Sequence, residues 1–271
     1  MERSRPSPPW FAQTVTALTF LLLYIPLVVL VIYSFVSIDP ANGQALFSLE
    51  WYKQALQDDE LRRALNMSLW VGLWSTLGAS IIGTATAWAL DRFSFPGKQW
   101  LDALTLVPLV IPEIVMALSL LIWFVLLKFS LGSISIILAH ITFSFSYVVI
   151  TVRTRLADFD HSLEEAAFDL GATPIQTFGR VSFPLIWPGI LSGALMAFTL
   201  SFDDFLITFF TAGVGSDTLP IKLYSMIKYG ISPKINALST LILLATIIMV
   251  IFAFRPKKSS QSQTEKLKAI G

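Results

Sequence analysis

Hydrophobic positions along the chain fall in long uncharged runs separated by short polar segments, and the length of each run decides its reading. A helix needs about 20 mostly apolar residues to cross the hydrocarbon layer of a bilayer. Six stretches meet that length: 15–36, 67–90, 103–127, 131–152, 185–211 and 235–254. The pattern predicts an all-α polytopic membrane protein with six transmembrane helices across 15–254, preceded by a segment 1–14 and followed by a polar tail 255–271. The first run is longer than the apolar region of a signal peptide and has no clear small-x-small cleavage site, so it reads as a span. Gly72, Gly78, Ala79, Ser80, Gly83, Ala85 and Ala87 make the second run rich in small residues, which favours close helix packing. Pro108 and Pro112 break the third.

Between the runs, 39–66 is polar; Leu49, Tyr52 and Leu56 share one helical side beside Trp51, which fits an interfacial helix or a solvated loop. A short helix is expected over 220–230 within the polar loop 212–236. The segment 156–184 is different in kind. Leu163, Ala166, Ala167 and Leu170 recur at i, i+3, i+4 and i+7, one apolar stripe of a short helix. Ser162 and Glu165 have the spacing of a capping box, and Gly171 is placed to stop the helix. Thr173-Pro174 then opens a second short helix that Pro184 is expected to end. Two such helices cannot bury a core of their own; they need a partner surface or the side of their own bundle.

Composition agrees with the membrane reading. Hydrophobic residues make up 55 % of 271 and charged residues 14 %, with a mean hydropathy of +0.70; soluble chains carry about 25 % charged residues. Twelve of the 19 Lys and Arg residues fall on segments that place both termini and the 156–184 loop on the cytoplasmic side. With no cysteine, neither a disulfide framework nor a thiolate metal site is possible. A net charge of +1 without a basic stripe excludes a nucleic-acid partner. No phosphate-cradling Gly-rich motif followed by Lys-Ser/Thr is present, so ATP is not expected to bind this chain.

Four ionisable groups lie inside the spans: Glu113, His140, Asp203 and Asp204. A carboxylate at the bilayer centre costs at least about 2.5 kcal/mol, so each should face protein or water. Glu113 follows Pro112 and suits the first turn of a restarted helix, a position compatible with a pathway role. On a helical wheel Phe198, Phe202, Phe205 and Phe209 form one stripe. Asp204 points away from it, with Gly193, Ala197, Thr208 and Thr211. Asp203 and Asp204 could hold a buried polar network or attract and guide a cation alongside pathway aromatics; His140 reads as a polar helix–helix contact.

Glu165-Ala166-Ala167, three residues, Gly171, nine residues and Val181-Ser-Phe183-Pro184 together resemble the EAA loop of ABC-importer permeases. Val181 and Phe183 stand where that pattern has Ile and Leu. Pro112-Glu-Ile-Val-Met-Ala-Leu-Ser-Leu-Leu121, Ala139-His-Ile-Thr-Phe143, Phe198-Thr-Leu-Ser-Phe-Asp-Asp204 and Leu219-Pro-Ile-Lys-Leu-Tyr-Ser-Met-Ile-Lys228 extend the similarity to permease subunits of spermidine/putrescine importers, from about residue 17 to 254. The resemblance implies a MetI-like type I ABC importer permease fold in a bacterial inner membrane. It also implies a homologous second permease, an ATPase dimer that binds the ATP and Mg, a periplasmic polyamine-binding protein, and a non-catalytic role for this chain. By the same resemblance Glu164, Glu165, Ala166, Ala167, Asp169 and Gly171 lie at the ATPase contact, and Glu113, Asp203 and Asp204 on the substrate pathway. The alternatives are an ABC permease for another small solute and a self-sufficient secondary transporter or channel. Adjacent carboxylates on a helix diverge by about 100°, which disfavours a membrane enzyme built on Asp203-Asp204.

Overall fold

The computed structural model describes residues 10–38, 44–230 and 233–253; of the expected terminal segments, most of 1–14 and all of 255–271 lie outside the described residues. The described chain is mostly helical and divides into two compact units, 59–225 and 1–58 with 226–271.

In the first of these units, three long helices form the core: α3 (Asp59–Arg92), α6 (Ser133–Ala157) and α9 (Phe183–Asp203). The small residues of the second run explain their close approach. A Cβ on Gly83 would lie 2.8 Å from the Val148 side chain and 3.0 Å from the Phe145 carbonyl oxygen on α6, and one on Gly193 would meet the Val148 backbone at 3.1 Å. Ala79, Ala87, Val148, Val149, Val152, Ile186 and Ala197 fill the seam. Not every small residue faces this seam: Ser80 and Ala85 line an apolar groove between α3 and the start of α9.

The third run is broken at Pro112 as expected, whereas Pro108 lies inside a helix and does not break it. α4 (Lys98–Val110) and α5 (Glu113–Leu126) meet at 110° across Ile111-Pro112. Four described helices are long and apolar enough to cross a membrane, and this bent pair makes a fifth span if taken as one. The second span starts earlier than expected, because 59–66 are helical, with Leu61 and Ala64 buried.

The helix pair of the 156–184 loop also differs from expectation. α7 covers Ser162–Asp169 and α8 Pro174–Thr177, but Pro184 does not end the second helix. A π-helical turn over Phe178–Ser182 carries α8 directly into α9, with the Phe183 N–H bonding the Phe178 carbonyl. Pro184 therefore sits in the first turn of α9, where a missing N–H is tolerated. At the far end α9 stops at Asp203 and a separate helix α10 (Leu206–Thr211) follows, so the expected continuous span to 211 is interrupted. The phenylalanine stripe divides at this break into two pairs, Phe198 stacked on Phe202 and Phe205 tilted against Phe209. α11 (Leu219–Tyr229) is the short helix expected near 220–230.

The other unit holds α1 (Trp10–Ser34), α2 (Glu50–Gln57) and α12 (Pro233–Ala253), plus a two-stranded hairpin not foreseen from sequence, β1 (Val36–Ile38) against β2 (Ala45–Phe47). Of the helix and loop left open for the segment around Leu49, Tyr52 and Leu56, α2 is the helix. Trp51 Nε1 donates to the Val36 carbonyl at 3.0 Å, and Tyr52 Oη lies 2.6 Å from Ser34 Oγ. α12 covers the sixth expected run, but its apolar stretch Pro233–Ile248 is shorter than the helices counted as spans.

Candidate functional site

The three carboxylates singled out inside the spans come together. Glu113, Asp203 and Asp204 line one cavity of about 490 Å³, walled also by Pro108, Phe143, Tyr147 and Phe205. Each carboxylate arrives there through a break in a helix. Glu113 is the first residue of α5, directly after Pro112, where the positive end of the helix dipole favours an anion. Asp203 is the last residue of α9. Asp204 follows in extended conformation (φ −65°, ψ 128°).

Asp204 is the most tightly held of the three. Its Oδ2 accepts from the Thr208 N–H at 2.7 Å and from the Thr208 hydroxyl at 2.7 Å, and its Oδ1 accepts from the Ile207 N–H at 3.3 Å. These bonds occupy the first N–H groups of α10, so the carboxylate caps the helix that it precedes. Glu113 also bonds the Asp204 side chain, and His140 of α6 completes the shell. Its Nε2 lies 3.1 Å from Asp204 Oδ2 and 3.0 Å from Thr208 Oγ1, and its Nδ1 lies 2.7 Å from Ser201 Oγ. Ser201 in turn meets Ser75 of α3 at 2.9 Å. His140 thus makes the polar helix–helix contact that its position implied, and the network joins α3, α6, α9 and α10.

Asp203, by contrast, is exposed to the cavity, as is Glu113. A cavity with three carboxylates and the rings of Phe143, Tyr147 and Phe205 offers both opposite charge and aromatic faces to a cation. Local pattern did not single out Phe143 and Tyr147; their spacing of three and seven residues from His140 on one helix was the signal that could have found them.

The second candidate surface is the loop around α7. Its C-terminus is a Schellman stop: Gly171 adopts φ +85°, its N–H bonds the Phe168 carbonyl at 2.8 Å, and the Ala172 N–H bonds the Ala167 carbonyl at 3.0 Å. At the N-terminus the expected Ser162–Glu165 box does not form. Helical bonds begin from the His161 carbonyl, and Asp160 Oδ1 instead accepts the Ser162 N–H at 3.0 Å. Bonds from the Ser162 hydroxyl and N–H hold the Asp160 carboxyl below the usual carboxylate range. Thr173 and Gln176 form a reciprocal box at the start of α8.

Glu165, Ala166, Asp169 and Gly171 are exposed and Ala167 is half-buried. Leu163, Phe168, Leu170 and Ile175 add exposed apolar area, Leu170 reaching 89 %. Glu164 is the exception to the expected face. It is turned inward, ion-paired with Arg92 and bonded by the Ser182 hydroxyl. A partner 72 residues away leaves no local mark in the sequence.

Comparison with known proteins gives a consistent answer. Residues 79–257 match the family model described as "Binding-protein-dependent transport system inner membrane component". The chain is 42 % identical to the putrescine transport system permease protein PotI of Escherichia coli K12 over 87 % of its own length and 86 % of that protein's. It is 40 % identical to the spermidine/putrescine transport system permease protein PotC of the same organism, covering 84 % and 87 %. Haemophilus influenzae PotC is 37 % identical, covering 85 % and 90 %. Among solved structures, a bacterial ABC transporter involved in alginate import aligns with a TM-score of 0.69 at 13 % identity over 96 % of this chain and all of that one. The MetNI methionine ABC transporter aligns at 0.59 and 19 % identity, covering 71 % and 92 %. At these identities the structural likeness speaks for the fold.

Proposed function

The chain belongs to the family of inner-membrane components of binding-protein-dependent transport systems, and we propose that it forms half of a pathway for polyamines, spermidine or putrescine or both. It is a multi-pass inner-membrane permease component with the MetI-like fold. The observation that carries the substrate reading is the convergence of Glu113, Asp203 and Asp204 on one aromatic-walled cavity. A linear polyammonium presents several charges joined by apolar methylenes. Carboxylates and ring faces along one wall complement both features. The names of the relatives point to the same substrate class.

Energy is supplied by partners in this reading. The exposed stripe of α7, with Glu165, Ala166, Ala167, Asp169 and Gly171, seats on an ATPase dimer that binds ATP and Mg, while Glu164 acts from behind that face. A homologous second permease completes the pathway, and a periplasmic binding protein delivers the polyamine. Both termini and the 156–184 loop then lie in the cytoplasm. The test is uptake of labelled putrescine and spermidine by the assembled complex in proteoliposomes, with the binding protein on one side and ATP on the other. Saturable ATP-dependent uptake of either polyamine supports the reading. Hydrolysis stimulated by the binding protein without polyamine uptake would retain the importer and discard the substrate, and ATP-independent uptake would favour a self-sufficient carrier.

A further inference from the structure

α7 has an unusual attachment. Its one buried residue is charged: Glu164, 8 % exposed, while its apolar side chains Leu163, Phe168 and Leu170 are turned outward. The two carboxylate oxygens of Glu164 are divided between different elements. Oε2 pairs with the guanidinium of Arg92, the last residue of α3, and Oε1 accepts from the hydroxyl of Ser182 in the π turn that leads into α9.

Arg92 is itself held from several sides. It donates to His161 Nδ1 at 2.8 Å and its guanidinium carbon sits 5.4 Å from the centre of the Phe159 ring. Asp91 lies 3.7 Å from its Nε. A guanidinium has no acceptor, so His161 accepts through Nδ1 and carries its ring proton on Nε2. Charge-assisted bonds of this kind are directional, whereas apolar contacts slide. Both α3 and α9 run from this node to the polar network, which they enter through Ser75 and Ser201.

We infer that Arg92, Glu164 and Ser182 form a positioning clamp that converts displacement of α7 into joint movement of α3 and α9. The inference rests on the reading of α7 as the ATPase contact. Without the clamp, α7 can follow the ATPase while the helices that wall the cavity stay behind, so hydrolysis continues and transport does not.

The test uses the complete complex with its binding protein in proteoliposomes, comparing wild type with Glu164→Gln, Arg92→Gln, the double variant and Ser182→Ala, and measuring uptake and ATP hydrolysis in the same vesicles. In the two charge variants, hydrolysis stays within about twofold of wild type while polyamine moved per ATP falls about tenfold, and the double variant is no worse than either single, as expected for one shared interaction. Uptake and hydrolysis falling in proportion, or an unchanged ratio, overturns the clamp. If the charge variants do not assemble, Ser182→Ala, which removes one hydroxyl and no charge, carries the test: a fall of about threefold in the ratio is expected, and an unchanged ratio overturns it. Wild-type uptake that ignores ATP would instead remove the ATPase-contact reading, whereas coupled wild type with fully coupled variants removes the clamp alone.

Discussion

His140 Nε2 and Asp204 Oδ2 lie 3.1 Å apart, with side chains 0 % and 1 % exposed. The pair joins two functions in one carboxylate, because Asp204 also caps α10 and lines the cavity. Removing the imidazole strips Asp204 and Ser201 of a buried partner each. His140→Phe is expected to destabilise the protein by about 1–3 kcal/mol, read as a lower thermal unfolding midpoint in detergent. An unchanged midpoint would show that the network adds no stability.

Asp204→Asn separates charge from capping. The amide oxygen can still accept the Ile207 or Thr208 N–H, so folding and assembly are retained. Uptake is expected to fall about tenfold through loss of an intramembrane charge. Asp204→Ala removes cap and charge together and should lower assembly as well. Wild-type uptake kinetics in Asp204→Asn would remove this residue from the cation path.

A Cβ added at Gly171 would meet nothing within 4 Å, so the requirement there is conformational: φ is +85°. Gly171→Asn, which tolerates the left-handed region, should keep co-purification with the ATPase and binding-protein-stimulated hydrolysis. Gly171→Val is expected to lose both, the left-handed conformation costing a residue with a Cβ roughly 1–2 kcal/mol and a β-branched one more. Equal behaviour of the two variants would count against a strict stop at this position.

Gly213 is constrained by space instead. A Cβ there would overlap the Leu131 carbonyl and lie 3.0 Å from the Gly132 nitrogen, at a junction where Ser135 Oγ bonds the Thr211 carbonyl at 2.8 Å. Gly213→Ala should cost about 1–3 kcal/mol through forced backbone shifts, visible as reduced accumulation and earlier unfolding. Normal thermal stability would contradict the close approach.

Much of this was legible locally. Apolar run length located five of the spans, counting the bent pair as one, Pro112 located the bend although Pro108 stays inside α4, and Gly171 located the stop. Proline at position 184 misled because its missing N–H suits a helix start as well as a helix end, and the π turn that decides between them is a tertiary outcome. The break at Asp204 was hidden for a similar reason: an Asp within an apolar run continues a helical wheel until its carboxylate takes the N–H groups of the next turn. The Arg92–Glu164 pair and the meeting of Glu113 with Asp203 and Asp204 depend on helices distant in sequence, which periodicity cannot align.

The most direct measurement compares labelled-spermidine uptake by reconstituted wild-type complex with that of Glu113→Gln/Asp203→Asn, two exposed cavity carboxylates whose neutralisation leaves the His140–Asp204 network in place. ATP-dependent uptake in the wild type, reduced at least about tenfold in the double variant with stimulated ATP hydrolysis preserved, is the predicted result. Uptake of equal rate and affinity in both would contradict a carboxylate-lined polyamine path.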